Sequence, residues 1–106
     1  MAQTRKQNQK PNQKRYPDEL LRRLRNDIRW QPFLQRLNWP HKRREGQLAF
    51  LCPRCQEFRT AVNPRTNLGR CFACQTNFNP IDFLLTIGTY DFVEAVDFLT
   101  TMLPRD

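Results

Sequence analysis

The sequence predicts an α+β domain: a small antiparallel sheet, tied at one end by a four-cysteine metal site, with helices before and after it. Three observations predict this. The only four cysteines of the 106-residue chain form two Cys-x-x-Cys pairs, Cys52/Cys55 and Cys71/Cys74, fifteen residues apart. Around and between them, short stretches suit extended chain. After them the apolar period lengthens from 2 to 3.6, the helical value.

The cysteine spacing carries the strongest chemistry. A two-residue gap lets one tight turn aim two sulfurs at a single point. Two such knuckles complete a tetrahedron around Zn²⁺ with bonds of about 2.3 Å. Cys52, Cys55, Cys71 and Cys74 are therefore the expected ligands of one zinc ion per chain, and the fold is expected to be a zinc ribbon. A pair of disulfides or four free thiols are the plainer alternatives. No signal peptide precedes the site, which points to a reducing cytoplasmic setting and against disulfides. Iron in a rubredoxin-like site is the minor alternative; neither pair is followed by glycine, which argues against it.

Length and composition agree with one small domain plus a tail. Hydrophobic residues make up 39% of the chain, and no run approaches the roughly 18 apolar residues that span a membrane. A core this small usually needs a staple, and a structural zinc contributes on the order of 10–16 kcal/mol of apparent binding free energy. The net charge of +8 is unevenly spread. Residues 1–75 carry 17 Lys/Arg against 5 Asp/Glu, whereas residues 76–106 carry 1 against 5. A basic body with an acidic end suits a polyanion on one side and a different contact on the other.

In chain order, residues 1–16 hold Arg5, Lys6, Lys10, Lys14 and Arg15 with no acid, and are predicted to be a disordered basic arm. Its role is equally well read as a solubilising tail or a nucleic-acid contact. Residues 17–106 form the predicted domain. A first helix is expected over Pro17–Trp30, with Leu20, Leu21, Leu24 and Ile28 on one face and Arg22, Arg23, Arg25 and Arg29 on the rest. Pro32 is expected to stop that helix and open a short second one carrying Phe33, Leu34 and Leu37. His41 to Gly46, with Lys42, Arg43 and Arg44, reads as a basic turn, and His41 falls outside any ligand spacing.

Three strands are then expected: Gln47–Leu51 into the first knuckle, Phe58–Asn63, and Leu68–Phe72 into the second, with a turn over 63–67. Asn79-Pro80-Ile81-Asp82 is a strong helix start, and Gly88 a natural stop. Ile81, Leu84 and Leu85 are the expected apolar face. Asp91 and Glu94 have capping-box spacing for a last helix, whose buried stripe is Phe92, Ala95/Val96, Leu99 and Met102/Leu103.

Several of these segments together resemble a known family. Leu51-Cys52-Pro53-x-Cys55, Val62-Asn63-Pro64, Cys71-Phe72-x-Cys74, Asn79-x-Ile81-Asp82-Phe83-Leu84 and Phe92-Val93-Glu94-Ala95-Val96-x-x-Leu99 are similar to the N-terminal zinc-binding (CHC2-type) domain of bacterial and phage DNA primases. The resemblance runs from about residue 18 to 103, and the second knuckle with its following helix is its most specific part. That family usually has histidine as second ligand, where this chain has Cys55. Its glycines after the second knuckle are replaced by Gln75 and Phe78, and its Thr-Pro-Ser-Phe stretch is shortened to Phe58-Arg59-Thr60-Ala61. Its catalytic polymerase domain has no counterpart in these residues.

The resemblance implies a module that recognises single-stranded DNA template and acts with a separate catalytic primase chain or a helicase. The residues themselves supply charge and stacking surface. Arg54, Arg59, Arg65 and Arg70 surround the ribbon, Phe72 and Phe58 are stacking candidates, and Lys42, Arg43 and Arg44 add charge. A solvated charge is the plain reading of any one of them. The alternatives are a protein-interaction adaptor docking through the acidic last helix, and a small mobile-element regulator binding duplex DNA through the arginine-faced first helix. Catalysis is not expected: no histidine stands near a nucleophile, and a closed four-cysteine site leaves zinc no open position.

Overall fold

A computed structural model describes residues 16–104. The predicted arm lies outside these residues except for Tyr16, whose ring packs edge-on against Phe92 with centroids 6.0 Å apart. Four helices and five strands follow one another as α1 (Asp18–Asn26), α2 (Trp30–Arg36), β1 (His41–Arg44), β2 (Gln47–Phe50), β3 (Thr60–Asn63), β4 (Leu68–Cys71), β5 (Asn77–Phe78), α3 (Pro80–Ile87) and α4 (Phe92–Thr100). The sheet is an antiparallel meander in the order β1-β2-β3-β4-β5. The α+β zinc-ribbon architecture is thus the observed one, with two strands more than expected.

The first extra strand is β1, which replaces the expected basic turn. His41–Arg44 pairs with Gln47–Phe50 through a two-residue turn in which Glu45 and Gly46 both have positive φ, 53° and 80°. Two positive φ values make the turn whose twist matches a hairpin. His-Lys-Arg-Arg has no apolar alternation because β1 is an edge strand, and charge on an edge discourages pairing with another chain. The second is β5. Its two residues, paired with Gly69 and Arg70, are too few to show a period.

The first helix ends at Asn26 and the second starts at Trp30, so Pro32 lies in the first turn of α2 rather than terminating α1. A long-range contact sets this break. The side-chain amide of Asn67, in the β3–β4 turn, donates to the carbonyls of Arg25 and Ile28, both at 3.0 Å. Those carbonyls would otherwise be orphaned at a helix end. The Trp30 indole donates back to the Asn67 carbonyl at 3.0 Å.

Helices cover one face of the sheet. Trp30 stacks on Phe50 (4.9 Å, 19°), and Phe83 stands edge-on to Trp30, Phe33, Trp39 and Phe50. The buried face of α3 is Pro80, Ile81, Phe83 and Leu84, while Leu85 is 39% exposed. The expected Ile81/Leu84/Leu85 face is therefore corrected: α3 packs on both the sheet and α4, which turns Phe83 inward. The Asn79 N-cap (2.8 Å to the Asp82 N–H), the left-handed Gly88 stop and the Asp91/Glu94 capping box are all present. In α4, Ala95, Val96 and Leu99 are buried, and Phe92, with Met102 and Leu103 just past the helix end, packs partly buried against the core.

Candidate metal centre and nucleic-acid face

Each knuckle is a repeat of one backbone design. In the first, the Cys52 N–H donates to the Glu57 carbonyl (2.9 Å) and the Gln56 N–H to the Cys52 carbonyl (3.0 Å). In the second, Cys71 and Thr76 (2.9 Å) and Gln75 and Cys71 (2.7 Å) repeat those bonds. Both loops close through a left-handed residue, Gln56 at φ 68° and Gln75 at φ 61°. Glycine is the easier residue there, and the expected tight turn forms at both knuckles without it. The Trp39 indole steadies the approach to the first knuckle by donating to the Leu51 carbonyl at 2.8 Å.

Four sulfurs converge at the end of the sheet. Cys52 and Cys74 Sγ lie 3.8 Å apart, Cys55 and Cys71 Sγ 3.6 Å, and all four fall within 4.8 Å of one another. A tetrahedron with Zn–S bonds of about 2.3 Å has edges of about 3.8 Å. The donor set and its spacing therefore fit zinc. His41, in β1, has its Nδ1 2.7 Å from the Trp39 carbonyl and does not join the cluster.

The sulfurs differ in what surrounds them. A backbone hydrogen bond at Glu57 favours the Cys55 thiolate, but desolvation and the neighbouring sulfurs outweigh it and push this thiol up to about 12. Burial opposes ionisation of Cys71; N–H donation from Cys74 and Ala73, with the Cys55 thiol, overcomes it and brings Cys71 down to about 6. The Thr76 hydroxyl holds Cys74 below the usual thiol range. Crowded thiols cannot all ionise together without a cation, which is the charge a dication supplies. Thr60, the cross-strand neighbour of Cys71, is fully buried and its hydroxyl has no hydrogen-bond partner among the described residues.

A match to the family model of the CHC2 zinc finger covers residues 16–105. The chain belongs to the CHC2 zinc-finger family. No curated protein matches it. It is a zinc-binding module of primase type in which the second ligand position is Cys55, and the match is to a zinc finger, with no catalytic domain evident in it. No helix among the described residues is long and apolar enough to cross a membrane.

The basic candidates fall in different places. Register puts Lys42, Ala49, Ala61, Arg70 and Asn77 in one row across the five strands, on the face away from the helices. Arg44 lies on the same face, two residues from Lys42. Arg43 alternates to the other face, where it donates to the Gln31 side chain at 2.7 and 3.1 Å and to the Gly46 carbonyl at 3.1 Å. Phe72 continues β4 outward and is 58% exposed; it does not pack under the C-terminal helices. Its N–H donates to the Arg59 carbonyl (3.0 Å), which sets it beside the segment carrying Phe58. The Lys42 ammonium sits 4.8 Å from the centre of the Phe58 ring.

Arg65 lies in the β3–β4 turn, at the opposite end of β4 from Phe72. Arg54, exposed in the first knuckle, donates to the Thr76 hydroxyl at 3.2 Å, and Arg70 to the Asn77 side chain at 3.4 Å. None of Arg54, Arg59, Arg65 and Arg70 pairs with a carboxylate among the described residues. The ion pairs there belong to α1, Arg22 with Glu19 and Arg23 with Asp27.

Proposed function

We propose that the outer face of the sheet binds single-stranded DNA, and that the module presents template to a catalytic primase centre lying in a separate domain or chain. One observation carries this reading. Phe58 and Phe72, two of the three exposed large apolar side chains among the described residues, lie on chain segments joined by the Phe72 N–H to Arg59 carbonyl bond next to the knuckles. Outward-facing Lys42 and Arg70, with the exposed Arg59, lie around them. Flat exposed rings beside cations that no carboxylate neutralises are what a base stack and a phosphate chain require. Arg44 adds charge on the same face, and Arg54 in the first knuckle and Arg65 in the β3–β4 turn carry exposed charge beyond the ends of the strands, whereas Arg43 is committed to Gln31. A duplex reading through α1 is less favoured, because two of its arginines already face acids. The setting is the cytoplasm, where thiolates stay reduced.

The test is binding of single- and double-stranded oligonucleotides across a salt series. Phe72→Ala should weaken single-strand binding by about 1–3 kcal/mol. Arg70→Ala should flatten the salt slope by about 0.7 for single strands. Unchanged affinity in well-folded Phe72→Ala and Arg65→Ala/Arg70→Ala proteins removes this face as the site. Tight duplex binding with no single-strand preference would favour the regulator, and no binding to either would favour the adaptor.

A further inference from the structure

Four thiolates around Zn²⁺ carry a formal charge of −2, one unit more negative than a site with histidine in place of one sulfur. Backbone donors meet part of that charge. The Arg54 and Cys55 N–H groups approach Cys52 Sγ at 3.3 and 3.4 Å, and the Cys74 N–H approaches Cys71 Sγ at 3.5 Å. Any sequence with this turn supplies them.

Cys74 has a different neighbour. Its sulfur lies 3.3 Å from the Thr76 hydroxyl, and Arg54 Nη1 donates to that same hydroxyl at 3.2 Å. A hydroxyl has one proton and two lone pairs. With a lone pair taken by the guanidinium, its proton is directed to the sulfur, and the cation polarises the O–H and strengthens that bond. Arg54 belongs to the first knuckle and Thr76 to the second, so the chain of contacts also ties the two together without passing through the metal. We propose that Arg54 and Thr76 form a charge-compensating relay onto the Cys74 thiolate, and that both are positioning residues for zinc retention. The relay stands on the metal site alone and is independent of DNA binding.

The experiment is zinc competition between the full chain and a chromogenic chelator, with cobalt substitution to report the ligand set. Thr76→Val and Arg54→Met should each weaken zinc binding about 10-fold, the usual size for loss of a partner behind a ligand. Thr76→Ser should restore it. All variants should keep the tetrahedral cobalt spectrum, and Thr76→Val should shift the sulfur-to-cobalt charge-transfer band. Because Arg54 acts through the hydroxyl, the double variant should match Thr76→Val within about twofold. Multiplication of the two losses would overturn the relay. So would unaltered zinc affinity in both single variants, or an equal loss in Arg22→Met, which removes the same charge from α1. Arg54 is exposed, so Arg54→Met still decides the matter if Thr76→Val fails to fold.

Discussion

The inner face of the sheet carries Leu48, Phe50, Thr60, Val62, Gly69, Cys71 and Phe78, all buried. The outer face carries Lys42, Arg44, Ala49, Ala61 and Arg70, with Phe72 just beyond the last ladder pair. Both sets come from the same strands in alternate positions. The inner set is buried and mainly apolar, with Phe50 packed against Trp30 and Phe83; the outer set is charged at its margins and small in its middle. The alanines matter as much as the arginines, because a row of short side chains leaves the face open between its cations. A strand period of two thus lets four-residue strands serve stability on one side and leave the other side free for the proposed recognition of DNA. Substitutions on the two faces should separate cleanly into melting and binding effects.

The largest break in this division is expected at Cys71, which is an inner-face residue and a metal ligand at once. Cys71→Ser removes one of four thiolates from a site on which so small a domain depends. Structural zinc is worth on the order of 10–16 kcal/mol, against about 5–15 kcal/mol for the whole stability of a domain. The variant should contain no tightly bound zinc and show no cooperative melting, and the same loss should follow chelation of the wild-type protein. A chelated protein with a native spectrum would contradict it.

A smaller effect compares one phenylalanine from each face. Phe50 is fully buried between Trp30 and Phe83, so Phe50→Ala should cost about 3–5 kcal/mol in denaturant melts of the zinc-loaded protein. Phe72→Ala should change stability by less than about 0.5 kcal/mol. Equal losses would mean that Phe72 is held against the fold and is not a free platform.

Much of this arrangement was legible in the sequence, and the misses share a cause. Cys52, Cys55, Cys71 and Cys74 announce themselves because metal chemistry fixes their spacing. Asn79, Gly88 and the Asp91/Glu94 pair do so because helix ends are satisfied locally. β1 was hidden because its partner strand and turn, rather than its own His-Lys-Arg-Arg, make it extended. The break between α1 and α2 was hidden because the residue that caps it, Asn67, lies about forty residues away. Arg43 was grouped with Lys42 and Arg44 because a turn gives no alternation, and a strand does. Thr76 had no visible role, since only the folded knuckles bring it between Arg54 and Cys74.

Gly69 offers the finest test of the inner face. Its φ is not in the left-handed region, so glycine is there for room and not for backbone freedom. A Cβ at this position would stand 2.8 Å from Phe50 Cζ, 3.1 Å from its Cε2 and 3.3 Å from Thr60 Cγ2. The ring cannot easily yield, because Trp30 lies stacked on it and Phe83 meets it edge-on. Gly69→Ala should therefore destabilise the zinc-loaded protein by about 1–3 kcal/mol, the range for overpacking, although alanine normally improves on glycine in a strand. The cause can be isolated with Phe50→Leu, which removes the clashing end of the ring. If the clash is the reason, Gly69→Ala should cost less in the Phe50→Leu background than in the wild type, with a coupling of about 0.5–3 kcal/mol. Strictly additive losses would place the need for glycine in the backbone at the Gly69–Phe78 pair instead. In either case zinc content should stay at one per chain, since the clash lies two residues from Cys71 and leaves the sulfur in place.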